Sequence, residues 1–373
     1  MAYKNPYQAL PAYTRWSKSV AGVEMDKLDP VVDFPFKISS TDKVATAGSC
    51  FAQHIARHLS QNGFNYFVTE KANPIFLTVP ELDKKYNYGT FSARYGNLYT
   101  SRQLVQTFKR AFGKFTPLEN YWFENGCYID PFRPVIQPNG FATLEEFKID
   151  KDKHFAAIRK IFEELDYFIF TLGLTEYWYH VSDGAALPLC PGVCGGVFDD
   201  KKYQFGNLGV SEVLADMEEF YELLKSINLK AKIILTVSPV PLAATAENKH
   251  VLVSTTYSKS VLRVASEIFA DKYSDVAYFP SYEIITGNYN RGSYYCDNLR
   301  DVLEHGVEHV MRLFLKHGTD LAVSDAAIET KIANSNNGAK AVEANFFEKM
   351  HDVINVICEE GLIEASFEDK INS

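Results

Sequence analysis

Four short runs dense in β-branched and aromatic residues punctuate the chain: KVATAG (43–48), DYFIFTLG (166–173), AKIILTVSP (231–239) and DVAYFPS (275–281). Each closes on Gly, Pro or Ser, and a continuous apolar run of this length predicts a strand buried on both faces. Between them the apolar positions recur at helical spacing. SRQLVQTFKRAFG (101–113) carries Leu104, Val105, Phe108 and Phe112 on one face. The segments TLEEFKIDKDKHFAAIRKIFEEL (143–165), SEVLADMEEFYELLKSI (211–227) and HVLVSTTYSKSVLRVASEIFADKY (250–273) repeat that pattern. Buried strands alternating with amphipathic helices predict an α/β fold, a three-layer α/β/α sandwich around a parallel sheet of about five strands.

The remaining segments predict the domain organisation. Residues 1–40 read as an N-terminal arm wrapping the α/β domain of 41–320, and 114–142, rich in Pro, Gly and aromatics, as an insertion without regular elements. DAAIETKIANSNNGAKA (325–341) has linker composition, and AVEANFFEKMHDVINVICEEG (341–361) predicts an amphipathic helix, so 321–373 reads as a linker and C-terminal helical extension. That helix docks on the main domain or buries its apolar face against a second copy as a homodimer.

Composition narrows the function classes. A net charge of −9 argues against a nucleic-acid partner. No apolar run is long enough to span a membrane, and MAYKNPYQALPAYTRW lacks the apolar centre of a secretory signal, which predicts a cytoplasmic protein. The six Cys are too scattered for a disulfide framework. Cys190 and Cys194 are spaced like half a zinc site but lack a second ligand pair, so neither a metal nor a cofactor is expected. Aromatic residues make up 14% of the chain, enough to line a saccharide-binding groove as well as a core.

The candidate chemistry gathers at the strand ends, where open α/β sheets bind ligands. The first run leads into AGSCFAQHIARHL (47–59), a glycine turn followed by a helix start. A thiol at that position, Cys50, feels the positive end of the helix dipole, which favours the thiolate, and the same free N–H groups can hold an oxyanion. His54 lies one turn further along the same face. The second run ends in LGLTEYW, where Thr175 can donate to an oxyanion and Glu176 can orient a base or grip a hydroxyl. Ser238 in TVSPVPL sits in a rigid proline turn. The fourth run leads towards Asp297, Arg300, His305 and His309. The plain structural reading is a buried small cysteine with core or surface histidines.

AGSCFA resembles the signature of the GSCFA-domain family, a branch of the SGNH (GDSL-like) hydrolase superfamily. YGNLYTSRQL (95–104), LGLTEYW (172–178), TVSPVPL (236–242), TTYSKSVLRVA (255–265) and YFPSYEI (278–284) agree in order, so the resemblance covers roughly 40–320. It implies an SGNH, flavodoxin-like sandwich. It also implies that Gly48-Ser49-Cys50 stands where the superfamily has Gly-Asp-Ser, with Cys50, or the adjacent Ser49, as nucleophile. Gly96, followed by Asn97, matches the second-block glycine, and Thr175 falls where the oxyanion asparagine belongs. Asp297-Asn298-Leu299-Arg300 keeps the late aspartate but has Arg300 at the catalytic histidine's position.

That departure leaves the base open between His305, displaced along the late motif and oriented by Asp297, and His54 on the first helix. Arginine cannot be the base at neutral pH, though it can pair with a substrate carboxylate or phosphate. The expectation is an ester hydrolase or O-acyltransferase acting on a small acylated, carbohydrate-type substrate, with a thioester intermediate tilting towards transfer. The alternative is a silent domain that binds an acyl or carbohydrate ligand in the same crevice.

Overall fold

The computed structural model describes residues 5–74, 78, 82–321, 360 and 362–363. Four parallel strands, β1 (Val44–Gly48), β4 (Tyr167–Leu172), β8 (Lys232–Val237) and β9 (Val276–Tyr278), form the central sheet in that order. They coincide with the four apolar runs. The place of the expected fifth strand, outside β1, is held by a single parallel bridge between Val44 and Tyr66.

Helices cover both faces: α1 (Trp16–Ser19), α2 (Phe51–Gln61), α3 (Leu82–Lys85), α4 (Ser101–Ala111), α5 (Leu144–Glu164), α6 (Val210–Lys225), α7 (Val251–Lys272), α8 (Ser281–Thr286) and α9 (Glu304–Gly318). Strand alternation divides the core. Ala45, Phe168, Phe170, Ile233 and Leu235 face a layer of α4, α5, α6 and α7. Val44, Tyr167, Ile169 and Ile234 face α2, α8, α9 and the arm residues Phe34, Phe36 and Ile38. Each large side chain buried in these layers contributes about 1.5–3 kcal/mol. The result is the three-layer sandwich that the periodicities predict.

Two small antiparallel sheets depart from the sequence reading. The insertion holds a hairpin of β2 (Trp122–Glu124) and β3 (Cys127–Ile129), turning on Asn125 and Gly126, both at positive φ as a tight hairpin turn requires. After β4 the chain pairs β5 (Glu176–His180) with β6 (Ala186–Leu187) and β7 (Tyr203–Asn207). The predicted helix at 341–361 lies outside the described residues except for Glu360. Among the described residues no helix is long and apolar enough to cross a membrane.

Candidate active site

The carboxyl ends of β1 and β4 meet so closely that only glycine fits. Gly48 has φ +135°, and a Cβ there would lie 2.3 Å from the Thr171 carbonyl oxygen. At Gly173, just past β4, a Cβ would meet the Ser49 Cβ at 3.1 Å and the Tyr99 carbonyl oxygen at 3.2 Å. The YGNLYT segment crosses over both ends. Leu98 N–H donates to the Gly48 carbonyl at 3.0 Å, and the N–H groups of Gly173 and Leu174 both donate to Tyr99 at 2.9 Å. Gly96, at φ +70°, and the buried Asn97 therefore lie against the Gly48–Ser49 turn. A Thr100–Gln103 capping box then starts α4 and fixes the crossing.

Cys50 sits at the N-cap of α2, partly exposed, with the Ala52 and Gln53 N–H groups donating to the Ser49 and Cys50 carbonyls at 2.9 and 3.0 Å. Ser49 behind it is buried at 3% exposure, and its hydroxyl has no hydrogen-bond partner among the described residues. The thiol is the accessible member of the pair.

One group within electrostatic reach of Cys50 is one that the motifs did not single out. Lys259, from the middle of α7, is 1% exposed and donates to the Gly173 carbonyl oxygen at 2.6 Å. Burial pushes its ammonium down to about 8, against the stabilising charges of Glu360 and Cys50 and with the opposition of Arg300. Arg300, from the loop before α9, pairs with Glu360 at 2.9 Å and lies 3.8 Å from Asp301. Arg300, Glu360 and Cys50 thus all act electrostatically on Lys259.

Neither histidine joins this set through a hydrogen bond. His305 is exposed in the first turn of α9 with its ring against Tyr294, and Asp297 is exposed in the preceding loop; the two share no hydrogen bond. His54 is half-buried, and its Nδ1 lies 3.2 Å from the Arg57 guanidinium. Burial, with Arg57 next, drives it down to about 3, so it stays neutral. Arg57 in turn pairs with Glu304 at 2.8 Å, tying α2 to α9.

Thr175 is fully buried; its hydroxyl donates to the Asn207 side-chain oxygen at 2.6 Å and its N–H to Ser258 at 3.0 Å. That proton is committed to the β5–β7 connection. Glu176 accepts from Thr245 at 2.7 Å, and burial raises its carboxyl. Cys190 lies in the loop after β6, and burial pushes its thiol up to about 11. A 540 Å³ cavity lined by Lys43, Asn65, Thr69, Lys71 and Lys160 opens at the other end of β1, away from this chemistry.

Lys259 was legible in principle. In a helix whose buried positions are Ser254, Ser258, Val261, Leu262 and Ala265, a lysine inside the stripe has no solvent to reach and must have an internal partner.

No curated protein and no solved structure matches the chain. The GSCFA family model matches residues 43–314, from the start of β1 into α9 and across all three residues Cys50, Lys259 and Arg300. On that match, over more than half its length, the chain belongs to the GSCFA family.

Proposed function

We propose that this protein is an acyl-transferring enzyme of SGNH type, an ester hydrolase or O-acyltransferase on a small acylated, carbohydrate-type substrate. Cys50 is its nucleophile and Lys259 its proton carrier. The observation that carries this reading is the burial of Lys259 within electrostatic reach of a partly exposed thiol at a helix N-terminus. The ammonium and the helix dipole both favour the thiolate, and a lysine held near 8 can take and return a proton around neutral pH.

The steps follow from those positions. The Cys50 thiol passes its proton to the Lys259 amine, and the thiolate attacks the ester carbonyl carbon. The backbone N–H groups at the Cys50–Phe51 turn, with the Asn97 side chain, stabilise the oxyanion. Collapse expels the alcohol, which takes the proton from Lys259 and leaves an acyl thioester on Cys50. Water or an acceptor hydroxyl then attacks the thioester and gives its proton to Lys259. Collapse returns the sulfur as the thiolate beside the Lys259 ammonium, with the acyl group released as acid or as a new ester. Ser49 is too buried to compete as nucleophile, and the exposed His305 is less well placed than Lys259 to serve the thiol.

Hydrolysis of 4-nitrophenyl acetate by the full chain, with Cys50→Ala and Lys259→Met beside it, tests the reading. Loss of turnover in both variants with folding retained is expected. Equal background rates in all three proteins leave the silent ligand-binding domain as the correct account.

A further inference from the structure

Two cationic side chains, Lys259 and Arg300, share one electrostatic neighbourhood with Cys50, with no catalytic need for both. Lys259 handles the proton, but Arg300 stays charged at any working pH and cannot exchange one. Its guanidinium is 15% exposed and bound to a carboxylate that comes from far along the chain, Glu360, at 2.9 Å. The Glu360 carboxyl is itself buried, accepts from the Ala243 N–H, and feels Lys259 as well as Arg300. Burial raises it in spite of both cations, and Glu176 lies close enough to repel it. A carboxylate is therefore held by Arg300 within electrostatic reach of Lys259, in a setting that does not match it fully.

We propose that Arg300 and Lys259 form an anion subsite beside Cys50, that the substrate's acyl or acceptor portion carries a carboxylate or phosphate which this subsite recognises, and that Glu360 occupies it as an intramolecular competitor. The inference deepens the acyl-transfer reading and rests on it for the identity of the ligand as substrate. Arg300 is then the specificity determinant that replaces a histidine. A guanidinium fork suits the planar, bidentate oxygens of such a group better than it suits a neutral sugar hydroxyl.

The test compares alkylation of Cys50 by iodoacetate and by iodoacetamide, read by peptide mass mapping on the full chain. The ratio of the two rates is independent of the thiolate fraction, so it reports the subsite alone. It also reads whether or not the protein turns over an ester, which separates failure of this inference from failure of the acyl-transfer reading. Glu360→Gln is expected to raise the iodoacetate-to-iodoacetamide ratio roughly tenfold, on the strength of one charge-assisted contact. Arg300→Gln added to it is expected to remove that gain. Succinate and inorganic phosphate, added separately to Glu360→Gln, should slow iodoacetamide labelling, and whichever protects at the lower concentration identifies the anion class. An unchanged ratio in Glu360→Gln, or an equal rise for both reagents, overturns the subsite.

Discussion

Lys259 donates its ammonium to the Gly173 carbonyl oxygen at 2.6 Å, so α7 on one face of the sheet is pinned to the end of β4 beside the helix that starts on the other face at Cys50. The contact explains how a fully buried lysine is tolerated. One donor is used by the backbone, and the remaining charge is offset by Glu360 from the C-terminal segment and by Cys50, against the repulsion of Arg300.

The pH dependence follows from this lysine. The active form carries one proton between Cys50 and Lys259, so turnover falls as that proton is lost, as the pH rises past the Lys259 value of about 8. Lys259→Arg is expected to move the alkaline limb upward. Lys259→Met should lower kcat about 10²–10⁴-fold with a smaller effect on KM. A pH–rate profile of an aryl ester hydrolysis, taken with the melting temperature of each variant, separates this role from a structural one. His305→Ala should keep most of the activity.

Thr175 gives the opposite expectation. Its hydroxyl proton is held by Asn207, so Thr175→Val leaves a half-buried amide oxygen short of a donor. A loss of about 1–3 kcal/mol in stability with little change in kcat is expected, read from denaturant titration and single-turnover rates. A large kcat loss at unchanged stability would return Thr175 to the oxyanion.

Glu304 links the site to acid stability. Burial alone would raise its carboxyl, but His58 and Arg57 hold it down to about 2, below the ordinary value of 4.5. Depression of an acid's folded-state value means its contribution is present above pH 4.5 and is lost as the pH falls towards 2. Glu304→Gln should cost roughly 1–3 kcal/mol near pH 6, and the gap from the native protein should close as the pH falls through that window. Paired melting curves at pH 6 and pH 3 check the sign.

How far the sequence could be read depended on whether an element announces itself locally. The four strands and the helices α2, α4, α5, α6 and α7 did so, because an apolar run or a helical stripe is a property of neighbouring residues. The β2–β3 hairpin had its signal too, Asn125-Gly126 between WFE and CYI, hidden within a stretch rich in proline and aromatics. Glycine and cysteine at 48–50 pointed to the turn at the end of β1 because the strand-to-helix geometry is local. The buried Lys259 did not stand out. It meets the end of β4 from a position far along the chain, and which residue of α7 faces that end depends on how the layers pack. The Glu360 contact joins segments 60 residues apart from Arg300, a pairing that no local pattern encodes.

The most direct measurement of the central claim is the site of acylation. Brief exposure of the full chain to an activated acetyl ester, followed by acid quench and peptide mass mapping, is expected to place one acetyl group on Cys50, absent from Cys50→Ala and slowed in Lys259→Met. An acetyl group on Ser49 or on no residue of the 47–59 segment, in protein that is folded and unlabelled at Cys50, would contradict it.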